Sequence, residues 1–140
     1  MEPLNFTSCP GTLAGGYATY SPTCLRRLFS GRKVRPFLDY LPAEESKQDA
    51  QKFIENRKRI SISGVQEKIS LLLDKSRLRL TEKNEQGQYI LKPIPRDVMN
   101  PEQVPANEHL TMQIARQVYG ITTAENAMIF FKNGQPAYLT

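Results

Sequence analysis

The sequence predicts an α+β fold, a small antiparallel sheet with a packed helix, preceded by a short, mainly helical or irregular appendage. Two strand-like runs separated by turn residues, Lys68–Leu73 and Gln88–Lys92, carry the first half of that expectation. The second half rests on a helical pattern over Pro105–Tyr119, followed by two short apolar runs around Asn133-Gly134. The order of strands, helix and strands places a boundary near residue 60, with an appendage over 1–59 and a lobe over 60–140.

In the appendage, Pro10-Gly11 and Gly15-Gly16 mark irregular backbone before a short helix. Ser21 suits its amino cap, Pro22 its first turn and Gly31 its end. Leu25, Leu28 and Phe29 fall on one face of that helix, as expected of an element resting on a larger fold. From about Ala43 to Arg57 the chain is rich in Glu, Lys, Gln and Ala and lacks glycine and proline, which predicts a partly exposed helix.

The lobe begins with a small-residue turn, Ser61-Ile62-Ser63-Gly64-Val65-Gln66, leading into the first strand. Arg77-Leu78-Arg79-Leu80-Thr81 alternates basic and apolar residues as a half-buried strand should. Pro93 and Pro95 close the Gln88–Lys92 strand, since proline cannot donate to a ladder. In the long helix, Leu110, Ile114 and Val118 form one stripe, while Met112, Ala115 and Tyr119 share another with Glu108. A helix apolar on two sides is expected to be sandwiched. Gly120 ends it, and Asn133-Gly134 accommodates the positive backbone angles of a hairpin between Ala127–Phe131 and Gln135–Leu139.

Composition narrows the function classes. Hydrophobic residues at 39% and charged residues at 24% match an ordinary globular chain and exclude a disordered tail. No apolar run approaches the length of a membrane span, and Met1-Glu2-Pro3 opens neither a basic segment nor a signal core, so no membrane association and a cytoplasmic address are expected. The net charge of +5 gathers in Arg26-Arg27, Arg32-Lys33-Val34-Arg35 and Arg57-Lys58-Arg59. Such runs suit solvated faces or an acidic or nucleic-acid partner, and no recognition motif decides for the latter. Cys9 and Cys24 are the only cysteines, and His109, the only histidine, is remote in sequence. Neither a disulfide in a reducing compartment nor a structural zinc site is expected from them.

Chemistry concentrates in three places. Ser63-Gly64-Val65-Gln66-Glu67-Lys68 has the small residue, the hydroxyl and the cation of a phosphate cover, although an ordinary loop into a strand uses the same residue types. Lys92 ends an apolar strand, where a lysine either reaches solvent or is held over a cleft. Glu108 lies on the apolar second face of the helix, where its carboxylate is costly to bury without a cation. A strand lysine fixed by a helix glutamate beneath a flexible loop is the arrangement of kinase nucleotide sites. Alternatively, Glu108 favours the amino end of its own helix dipole.

Taken together, Ser61-Ile62-Ser63-Gly64-Val65-Gln66-Glu67-Lys68, Tyr89-Ile90-Leu91-Lys92-Pro93 and Asn107-Glu108-His109 resemble the bacterial HipA and HipT serine/threonine kinase family, over about Ile60 to Thr140. The resemblance implies a lobe like the amino-terminal lobe of a protein kinase. In it Ser63 to Lys68 and Lys92 bind ATP, Glu108 positions Lys92, and Ser61 and Ser63 are candidate autophosphorylation sites. It also implies a toxin–antitoxin system with a HipB-like antitoxin or a small HipS-like subunit, and a protein substrate such as an aminoacyl-tRNA synthetase. The early Cys9 and Cys24 segment looks like a metal-ribbon element of some relatives, with most of its ligands missing. The catalytic Asp, its following Asn and the Asp for Mg cannot be placed before Thr140, so this chain is expected to contain no catalytic residue, to bind nucleotide weakly and to need a carboxy-terminal lobe for phosphoryl transfer. The alternative is a non-catalytic module that binds an antitoxin, a partner toxin subunit or DNA.

Overall fold

The computed structural model describes residues 4–43, 66–95 and 98–140. The helix expected from Ala43 to Arg57 therefore lies outside the described residues beyond its first position, as do Ser61, Ser63, Gly64 and Val65. What is described is α+β: two α-helices, one short 3₁₀ turn and a five-stranded antiparallel sheet.

Helix α1 spans Pro22–Phe29. Ser21 accepts a hydrogen bond from the Cys24 amide, and Ser30 closes the helix in a left-handed conformation with its amide on the Leu25 carbonyl. Both ends are thus satisfied by local groups, which is why so short a helix is specified by its own sequence. The strands are β1 (Ile69–Asp74), β2 (Arg77–Leu80), β3 (Tyr89–Pro93), β4 (Ala127–Phe130) and β5 (Pro136–Leu139), in the spatial order β2-β1-β3-β5-β4. Helix α2 (Val104–Gln117) connects β3 to β4 after the 3₁₀ turn Pro101–Gln103.

Register divides the sheet into two faces. Leu91 pairs with Leu139 and Ile69 with Leu91, while Ala127 faces Leu139 and Ile129 faces Ala137. These side chains share one face, and all of them are buried. The appendage packs on that face: Cys9, Tyr20, Cys24, Leu28, Phe29, Val34, Leu38 and Tyr40 belong to the same hydrophobic core as the strand residues. Phe29 stacks between Tyr20, at 5.2 Å, and Tyr89 of β3, at 5.8 Å between ring centres.

Backbone pairing ties the appendage to the sheet as well. The outer edge of β4 exchanges hydrogen bonds with the early chain, from Leu38 N to Phe130 O at 2.7 Å and from Phe130 N to Pro36 O at 3.0 Å. Lys132 N reaches Tyr40 O and Met128 N reaches Pro10 O. An edge that would otherwise invite association is thereby covered. Tyr20 adds a buried bond, its hydroxyl donating to the Met128 carbonyl at 2.6 Å. Replacing Tyr20 with Phe leaves that carbonyl without its donor, and we expect a loss of about 1–2 kcal/mol, read from the urea midpoint at constant slope.

One expectation is corrected here. Leu110, Ile114 and Val118 do not enter a sandwich; they are exposed at 48%, 42% and 70%, and Tyr119 of the second stripe is exposed at 72%. The buried positions of α2 are Pro105, His109 and Gln113. The polar two are accommodated because each finds a partner: His109 Nε2–H donates to the Gly11 carbonyl at 2.7 Å, and Gln113 donates to Asn126 Oδ1 at 2.9 Å.

Burial lowers the His109 pKa below its ordinary value of 6.5, against the opposing pull of its bond to Gly11. The folded ring is therefore neutral where the unfolded ring begins to take up a proton, so stability falls as pH drops below 6.5 toward the lowered folded value. Denaturant midpoints from pH 7.5 to pH 5 should decline with acid in the parent chain, and this component should be absent in His109→Gln.

Candidate functional site

The second face of the sheet carries the polar chemistry. Lys92 pairs across strands with Tyr138, and Tyr138 with Met128, so these three side chains share a face opposite to Leu91 and Leu139. Helix α2 packs on this face over β4 and β5. Ser70, Leu72 and Ile90, beside Lys92 on β1 and β3, stay partly accessible and form an open shelf.

Lys92 and Glu108 meet at the border between shelf and helix. Lys92 Nζ donates to Glu108 Oε1 at 2.6 Å, with side-chain exposures of 19% and 28%. The ammonium also lies 5.3 Å from the centre of the Tyr138 ring. That ring restricts the lysine from one side, and its electron-rich face adds to the hold of the carboxylate. The Tyr138 hydroxyl is pushed up to about 12, first by its burial and then by the Glu108 charge, so it stays a neutral donor at physiological pH. An ammonium has three donors, and the bond to Glu108 engages one of them. The arrangement is a cation fixed in place at the rim of an open surface, suited to an anionic ligand.

The remaining predicted positions divide. Lys68 and Gln66 are half-buried just before β1, and Lys68 alternates with Ile69 so that it shares the sense of Ser70 and the shelf. Glu67 instead lines a cavity of 130 Å³ with Ile69, Pro93 and Phe131, on the side of the sheet away from Lys92. Ser61, Ser63, Gly64 and Val65 are outside the described residues.

Comparison with known proteins bears on this geometry. The family described as HipA-like C-terminal domain matches residues 60–140, more than half of the chain and the stretch that contains both Lys92 and Glu108. The chain belongs to this HipA-like family. It is also 32% identical over 119 residues to a Haemophilus influenzae protein described as a putative kinase, a match covering 83% of this chain and 31% of that protein. The chain thus spans about a third of the length of that relative.

Within the HipA-like chain the basic runs are solvated where they are described: Arg26, Arg27, Arg32, Lys33 and Arg35 are all exposed. Arg32 reaches the Lys75 carbonyl, and Arg26 the Thr23 hydroxyl. Among the described residues, no helix is long and apolar enough to cross a membrane. No group of three or more His, Cys, Asp or Glu among them is arranged to hold a metal ion.

Sequence reasoning missed one neighbourhood. Cys9 and Cys24 are free thiols, both buried, and the His109 ring bonds to Gly11 two positions beyond Cys9. The signal was present in Cys9-Pro10-Gly11-Thr12, a turn that can aim amides at its own first side chain, but the distance along the chain to His109 concealed it.

Proposed function

We propose that this chain is the nucleotide-facing part of a HipA-like serine/threonine kinase, in which Lys92 contacts the phosphates of ATP and Glu108 holds Lys92 in position. The observation that supports this most is the 2.6 Å pair on an accessible sheet face, inside the segment that matches the family. On this reading Lys68 and the preceding Ser63-Gly64-Val65-Gln66 cover the phosphates, and Ser61 and Ser63 accept autophosphorylation, whose added charge would repel the nucleotide. Glu67, directed toward the cavity beside Pro93, would stabilise the loop rather than touch ATP. Magnesium would be held by residues beyond those described, as would the acceptor hydroxyl of a protein substrate. One wall of a site cannot orient both reactants, so phosphoryl transfer requires the remainder of a HipA-like fold. A toxin role, with a HipB-like antitoxin or HipS-like subunit and an aminoacyl-tRNA synthetase as substrate, extends the same proposal.

A second reading, a binding module, is favoured by the exposed apolar residues Leu110, Ile114, Val118, Tyr119 and Ile121 at the outer side and end of α2. The two readings are compatible if that side faces a further lobe or subunit.

Titration of the isotope-labelled chain with ATP tests the nucleotide reading. We expect weak saturable binding, with Kd on the order of 1 mM, and amide shifts clustered at Lys68, Ser70, Lys92 and the start of α2. Shifts confined to Arg26–Arg35, or none at millimolar ATP, would refute the nucleotide reading.

A further inference from the structure

The loop Cys9–Thr12 meets both helices, through Ser21 at the cap of α1 and through His109 and Gln117 of α2. Cys9 Sγ accepts backbone N–H groups from Gly11 at 3.3 Å, Thr12 at 3.4 Å and Ser21 at 3.1 Å. A sulfur surrounded by amide donors is an anion site built by the chain for its own side chain. Cys24 approaches the same place from α1. Gly11 lies against both sulfurs: its amide donates to Cys9 Sγ, and a Cβ added there would lie 2.3 Å from Cys24 Sγ. Only a residue without a side chain lets the two thiols share this space.

Electrostatics agree with the geometry. The Cys9 thiol is held well below its ordinary value, first by the hydrogen bond from Cys24 and then by those from Ser21 and Thr12, against the cost of burial. The Cys24 thiol is pushed up by the same bond and by its burial. These directions favour the thiolate at Cys9, the form that attacks a peroxide, and keep the proton on Cys24 in the reduced pair.

We infer that Cys9 and Cys24 form a peroxide-responsive thiol pair, reduced at rest and closing to an intrachain disulfide. The Cys9 thiolate attacks one oxygen of hydrogen peroxide; the O–O bond breaks, and the departing hydroxide takes up the proton that Cys9 released, leaving a sulfenic acid and water. Cys24 then gives its proton to the Cys9 hydroxyl as its sulfur attacks the Cys9 sulfur. The S–O bond breaks, a second water leaves, and the S–S bond forms. Two thiols are oxidised, and one peroxide is reduced to two waters.

Both sulfurs are buried, so peroxide has to approach them past neighbouring residues. A cleft of 410 Å³ lined by Thr12, Ser21, Thr23, Arg27 and Gln117 borders two of the three residues whose amides hold Cys9. Neither cysteine lines it, so peroxide would reach Cys9 past Thr12 and Ser21. The bond would form within an anchor of α2, because the Gly11 carbonyl accepts from His109 and the Thr12 carbonyl from Gln117. Any effect on nucleotide affinity would depend on the function proposed above, whereas the thiol chemistry does not.

The test is mass spectrometry of the full chain after hydrogen peroxide, denaturation and alkylation. We expect a monomer lighter than the reduced chain by two hydrogens that takes up no alkylating reagent, and that regains both alkylatable thiols after dithiothreitol. In Cys24→Ser, Cys9 should instead be captured as a sulfenic acid by a dione probe. Retention of both thiols, further oxygen addition at Cys9 with Cys24 unchanged, disulfide-linked dimers alone, or a reduced chain that carries zinc in its native mass would each overturn the inference.

Discussion

Lys92→Ala should abolish detectable ATP binding while the chain stays folded. The ammonium is the only lysine nitrogen among the described residues in hydrogen-bond contact with Glu108, and removing it also leaves that carboxylate partly buried beside Tyr138. A loss of at least about 1.4 kcal/mol, tenfold in affinity, places a millimolar Kd beyond saturation. The accompanying fall in stability should be about 1–2 kcal/mol, because both side chains keep some contact with water and Glu108 can turn outward. Lys92→Met, which retains most of the aliphatic stem over the Tyr138 ring, should lose binding equally with a smaller change in melting temperature. Unchanged affinity in both variants would remove Lys92 from the site.

Phe29→Ala should have the largest effect on stability. The ring is fully buried and stacks on Tyr20 within the appendage and on Tyr89 in β3, so it joins early chain and sheet at one point. Aromatic-to-alanine changes at such positions cost about 3–5 kcal/mol, against a total of about 5–15 kcal/mol for a domain of ordinary stability. We expect a single cooperative transition shifted to much lower denaturant, with sheet and appendage melting together. Two separate transitions, or a loss below about 1 kcal/mol, would contradict a common core.

Much of this molecule is legible where the determining interactions are local. Ser21, Pro22 and the chain reversal at Ser30 and Gly31 specify α1 with groups a few residues apart. Asn133 and Gly134 specify the last hairpin in the same way, with the Gly134 amide on the Phe131 carbonyl and the Gln135 amide on Asn133 Oδ1. The meeting of Lys92 with Glu108 is also readable, since a carboxylate and an ammonium with apolar neighbours each restrict where the other can be. By contrast, the placement of β5 between β3 and β4 depends on pairing across the whole lobe, which periodicity does not encode.

The largest misreading was the orientation of α2, and its cause is instructive. Hydrophobicity alone turns Leu110, Ile114 and Val118 inward, yet His109 and Gln113 take the buried side because the Gly11 carbonyl, 98 positions away, and Asn126 satisfy their polar atoms. A buried polar residue with a partner costs little, and the partner is visible only in three dimensions. The thiol pair was concealed for the same reason, since Gly11 brings the two sulfurs together from separate elements.

The claim on which the functional account depends is that Lys92 and Glu108 act as one unit toward a nucleotide. A double-mutant cycle in ATP affinity, using the parent chain, Lys92→Ala, Glu108→Gln and the double variant, tests it directly, with affinities raised into range by a linked or labelled ATP analogue. The account predicts that Glu108→Gln weakens binding only while Lys92 is present, so that the double variant binds no worse than Lys92→Ala. Strictly additive losses, or full affinity in Glu108→Gln, would show that the carboxylate does not hold the lysine for ATP.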